Sequence, residues 1–70
     1  MYLLDDYLKA HGVTRYKLSQ ISGIGESTLA TYKIKELKEF PVYLLDGIGM
    51  LVGKKSWEVL KDLKMLENTE

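Results

Sequence analysis

No cysteine occurs in this 70-residue chain, and histidine occurs once, at His11. Disulfides, thiolate metal sites and a metal centre assembled from histidines are therefore excluded. The same scarcity leaves no nucleophile and base set, so no catalytic residues are expected; nor does any motif call for a cofactor or a small-molecule effector. Two Gly-x-Gly runs, at Gly23 and Gly47, lack the context of a nucleotide loop. Neither follows a strand, and the third glycine of the fingerprint would have to replace Thr28 or Val52. Long apolar runs are also missing: the longest, residues 42–53, is interrupted by Asp46, and the opening MYLLDDYLKAHG carries acid where a signal peptide carries base. Neither export nor membrane insertion is expected, and the expected location is cytoplasmic.

A chain of 70 residues makes one domain with a thin core, for which association or tidy helix packing supplies needed stability. Net charge is zero, yet the charges are unevenly placed. Residues 9–38 hold six cations (Lys9, Arg15, Lys17, Lys33, Lys35, Lys38) against Glu26 and Glu36, a local net of +4. A domain polarised in this way can hold a phosphate backbone on one side; the plain alternative is a scatter of solvated lysines.

The stretch TRYKLSQISGIGESTLATY, residues 14–32, has the residue classes of a helix-turn-helix. Thr14 suits an N-cap, Arg15 to Ser22 a short helix with Leu18 inward, and Gly23 the C′ position, where a positive φ favours a residue without Cβ. Ile24 plugs the turn. Glu26-Ser27-Thr28 open a second helix with Leu29 and Tyr32 inward and Glu26, Ser27, Ala30, Thr31 and Lys33 outward. Small Ser19 is expected where the two helices cross closely.

Around this motif the periodicity predicts a first helix over about Tyr2 to His11, ended by Gly12, with Leu3, Leu4, Tyr7 and Leu8 on one face. His11 suits the helix end. Lys33 to Phe40 reads as a charged connector, and Pro41 suits the first position of a fourth helix reaching about Val52. In that helix Val42, Leu45, Ile48, Gly49 and Val52 form a core stripe. Leu44 and Leu51 stand off it with Gly47 on an adjoining face, which marks either a partner surface or a helix buried nearly all round. After Gly53 a fifth helix is expected over Ser56 to about Leu66, with Val59, Leu60, Leu63 and Leu66 inward. The domain thus spans residues 1–66, and residues 67–70 form a frayed tail.

The pattern resembles the lambda-repressor-like (Cro and xenobiotic-response-element type) helix-turn-helix family, which implies an all-α, compact five-helix domain. LLDDYLKAHGVTRYKLSQISGIGESTL, residues 3–29, further resembles the amino-terminal autorepressor domain of Listeria prophage type II anti-CRISPR proteins, a resemblance running on through Val59-Leu60. It implies a stand-alone repressor of an anti-CRISPR or related mobile-element operon, rather than a direct nuclease inhibitor. Lys54 and Lys55 depart from the family, which usually has an apolar residue and a capping Ser or Thr there. Trp57 departs too, and either faces a partner or closes the core edge.

In that fold the second motif helix lies in the major groove of double-stranded DNA and the first crosses the backbone. Glu26, Ser27, Thr28 and Thr31 are then the base-reading candidates, with Thr28 nearer the groove edge. Thr14, Arg15, Tyr16, Lys17, Lys33, Lys35 and Lys38 are the backbone candidates. Glu26 has a competing explanation, since a first-turn acid is favoured by the helix dipole without any DNA. A single module reads few base pairs, so a homodimer on a palindromic operator is expected, joined through Leu44, Gly47, Leu51 and Trp57. The competing class is a protein-binding module, antitoxin-like or related to CRISPR-nuclease inhibitors, acting through the same face of the fourth and fifth helices.

Overall fold

The computed structural model describes residues 2–68. Five α-helices follow one another: α1 (Leu3–Ala10), α2 (Arg15–Ser22), α3 (Glu26–Tyr32), α4 (Val42–Val52) and α5 (Ser56–Glu67), with a single 3-10 turn at Leu37–Glu39 before α4. There is no strand among the described residues, so the fold is the all-α, five-helix one expected. No helix among them is long and apolar enough to cross a membrane. Thr69 and Glu70 of the expected tail lie outside the described residues, whereas Glu67 closes α5.

Local chemistry sets the boundaries. Gly12, Gly23 and Gly53 all take positive φ, which lets the chain leave α1, α2 and α4 without the Cβ clash other residues meet. Gly23 stands at φ 78 with its amide returned to the Ser19 carbonyl. Pro41 is the N-cap of α4 rather than its first helical residue. α5 begins at Ser56 as expected, and the missing Ser or Thr cap is replaced from inside the helix: the Glu58 carboxylate accepts from the Lys55 amide at 2.9 Å.

The core is built around α4, which packs on α2 and α5; α1 closes over α5, and α3 rests on α2. Leu4, Leu8, Leu18, Leu29, Leu44, Ile48, Val59 and Leu63 are its fully buried members. Two expectations about phase are corrected here. Val42, assigned to the core stripe, is 67 % exposed, whereas Leu44, assigned to a partner face, is 0 % exposed. α4 is therefore the central helix buried nearly all round, with Val42, Tyr43, Asp46 and Met50 left outside. Leu60 of α5, expected inward, is also exposed.

Ser19, expected at the crossing of α2 and α3, is half-buried. A close approach lies between α2 and α4: a Cβ on Gly47 would sit 2.6 Å from the Ser22 Cβ and 3.4 Å from the Ile24 methyl. Nothing larger than hydrogen fits there without moving a helix. Ser22 also serves the turn, its hydroxyl donating to the Leu18 carbonyl at 2.6 Å and accepting from the Ile24 amide at 3.2 Å.

One polar knot joins the two ends of the chain. The Tyr7 hydroxyl of α1 donates to the Asp62 carboxylate of α5 at 2.9 Å, and the Lys54 ammonium binds the same oxygen. Lys54, a departure from the family pattern, thus ties the α4–α5 turn to α5. The Lys54 ammonium first, and the Tyr7 hydroxyl second, hold the Asp62 carboxyl below its ordinary range. Burial, reinforced by the hydrogen bond to Asp62, pushes the Tyr7 phenol well above its ordinary value.

Candidate nucleic-acid interface

The exposed side of α2, the Gly23 turn and α3 gathers most of the expected DNA-contacting residues. Thr14 caps α2, its Oγ1 accepting from the Lys17 amide at 3.1 Å, which leaves its proton free to donate. Tyr16 is 59 % exposed. Its oxygen accepts from Gln20 Nε2 at 2.9 Å, so its proton too remains available to an outside acceptor. Gln20 was not among the sequence candidates; its position one turn after Tyr16 is the signal that could have found it.

On α3, Glu26, Ser27 and Thr31 are exposed and Thr28 is half-buried. The Thr31 hydroxyl donates to the Ser27 carbonyl at 3.1 Å. Below this helix, Leu29 is fully buried, and the half-buried Tyr32 sets its ring edge-on to Phe40 at 6.2 Å and its hydroxyl 3.4 Å from that of Tyr43. These contacts fix the rotation of α3 and hence which side chains it shows outward. The start of α3 meets the α1–α2 corner across an open cleft of about 610 Å³, where Lys9, Thr14, Arg15, Tyr16 and Glu26 converge.

The cations are less free than the sequence implied. Arg15 Nε donates to Asp5 of α1 at 2.9 Å, Lys38 pairs with Glu36 at 3.3 Å, and Lys35 stands 4.0 Å from Glu39. Asp5 and Glu39 lie outside the basic window, which is why counting within it overstates the positive field. Lys33 sits over the Tyr2 ring, 5.5 Å from its centroid. Lys9 and Lys17 are exposed with no ion pair or hydrogen bond from their side chains among the described residues. Exposed ion pairs of this kind are worth only about 0.2–1 kcal/mol, so a phosphate can displace a carboxylate from them.

The four residues expected at a dimer contact separate. Leu44 and Gly47 are spent inside the fold, the first in the core and the second against Ser22, so neither is open to a partner. Leu51 is half-buried against the core. Trp57 is 68 % exposed and borders a groove of about 1000 Å³ between the 3-10 turn and α5, with Phe40 and Leu45 in its lining and exposed Val42 and Leu60 beside it. The apolar surface thus sits on α5 and the start of α4, not along the middle of α4.

Neither a protein-family model nor a curated protein matches the chain.

Proposed function

We propose that this chain is a sequence-specific double-stranded DNA-binding repressor, acting as a homodimer on a palindromic operator, with α3 as the reading helix. The observation that carries this reading is the outward face of α3. Glu26, Ser27 and Thr31 stand exposed on a helix held by Leu29 and Tyr32, and α2, with the Thr14 cap, Tyr16 and Lys17, lies beside it. That arrangement suits insertion of α3 into a major groove, with α2 bonded to the flanking phosphates. One such module buries too little surface for tight specific binding, and the Trp57, Leu60 and Val42 surface is the apolar area on which a second copy can pack. The family resemblance extends this to control of an anti-CRISPR or related mobile-element operon.

The same apolar groove favours one second reading, a protein-binding module acting through α5 and the start of α4. A gel-shift titration against the chain's own upstream DNA at two salt concentrations, with competitor DNA, separates the two. Repression predicts tight binding that weakens steeply with salt, because released counterions supply much of its free energy. Lys33→Glu combined with Lys35→Glu abolishes that shift and leaves any protein partner bound. Salt-insensitive binding, or no specific shift, rejects the repressor in favour of the second reading.

A further inference from the structure

The outward arc of α3 offers hydrogen-bond acceptors and few donors. Glu26 can only accept when ionised, and its side chain has no hydrogen bond or ion pair among the described residues. Thr31 has spent its proton on the Ser27 carbonyl, so its Oγ1 retains only lone pairs for an outside group. Ala30, between them on the arc, has no polar side-chain atom, and no Arg, Lys, Asn or Gln occurs from Glu26 to Tyr32. Ser27 alone among the fully exposed residues of that arc can either donate or accept.

In the major groove, donors are the amino groups of cytosine (N4) and adenine (N6), whereas guanine shows N7 and O6 and thymine O4, all acceptors. A carboxylate set against guanine is desolvated with no proton to bond. Cytosine N4 is flanked in the groove by a C–H, but adenine N6 is flanked by the N7 lone pair, which repels the second carboxylate oxygen. We propose, resting on the DNA-binding reading above, that Glu26 and Thr31 are specificity-determining acceptors: each half-site presents cytosine to Glu26 and an amino-bearing base to Thr31, with guanine rejected at the first.

The test is enrichment of randomised duplexes by the full chain, its Glu26→Gln and Thr31→Val variants, and a Glu26→Ala control, with circular dichroism verifying that each is folded. The expected wild-type result is a cytosine at one position per half-site, favoured about tenfold over guanine. Glu26→Gln moves that position to adenine, whose N6 and N7 match a carboxamide, and leaves its neighbours unchanged. Glu26→Ala levels the position, and Thr31→Val levels a second one. A purely dipolar role for Glu26 would alter affinity alike for all sequences and move no base preference. A specific site that survives Glu26→Gln unaltered overturns this inference while leaving the repressor intact; failure of the wild-type chain to enrich any duplex overturns both.

Discussion

Replacing Leu44 by alanine separates a core role from an interface role more sharply than any other change. Leu44 is 0 % exposed within one chain, so truncation forfeits the transfer energy of the deleted carbons and leaves a cavity its neighbours fill only in part. Such substitutions cost about 2–5 kcal/mol. At roughly 0.05–0.15 kcal/mol per residue, a domain of this length has about 4–10 kcal/mol in all. A loss near 3 kcal/mol therefore removes roughly three-tenths or more of it and lowers Tm by about 12–24 °C, at some 4–8 °C per kcal/mol. Thermal and urea unfolding followed by circular dichroism measures this. Met50→Ala on the same helix, at a side chain 67 % exposed, is the control and is expected within about 0.5 kcal/mol of wild type. Repeating the measurement over a tenfold range of protein concentration completes the test, because a core defect is concentration-independent and a lost dimer contact is not. A cost below about 1 kcal/mol, or one that disappears at high concentration, refutes the central placement of α4.

Three further outcomes are expected. Asp5→Asn releases Arg15 from its ion pair and tightens DNA binding up to about fivefold per module, read by fluorescence anisotropy at low salt, whereas unchanged affinity means that Arg15 makes no phosphate contact. Because the Asp62 pKa is lowered on folding, its stabilisation is present above the unfolded carboxyl value of about 3.9 and is lost as pH falls through the folded value; Asp62→Asn should flatten that acid limb in unfolding titrations, and an unchanged acid limb rejects the Lys54 and Tyr7 linkage. For the proposed homodimer, Trp57→Asp is expected to shift sedimentation towards the monomer and weaken operator binding while leaving the helical spectrum intact, and an unaltered dimer places the association surface elsewhere.

The helix boundaries were legible because they depend on neighbours in sequence. A threonine cap and left-handed glycines act within a few residues, so Thr14, Gly12, Gly23 and Gly53 announce themselves. The rotation of α4 was not legible. Val42, Leu44, Leu45, Ile48, Leu51 and Val52 surround nearly the whole helix, and only the arrival of α2, at Gly47, and of α5 decides which of them faces water. Gly47 was noticed, but its partner Ser22 lies on a helix that sequence spacing alone does not bring to it. The exposure of Tyr16, Lys17, Glu26, Ser27 and Thr31 was legible from helical phase, but the pairing of the nearby cations was not. Arg15 meets Asp5 only because the corner between α1 and α2 returns the first residue of α2 to α1, and Lys35 meets Glu39 only through the 3-10 turn.

The Gly47 seat fixes more than a helix spacing. Ser22 of α2 and Ile24 of the turn meet α4 at this one point, and α3 packs on α2 while α5 packs on α4, so the α3 side of the domain and its Trp57 side are joined through the same central helix. In a dimer joined near Trp57, the separation and relative twist of the two reading helices would then depend on that connection. One base pair inserted between half-sites displaces the second by about 3.4 Å and turns it by roughly a tenth of a helical turn. In the proposed repressor dimer that displacement must be absorbed by the DNA or by the contact between protomers, so binding is expected to weaken when the spacing of the half-sites is changed.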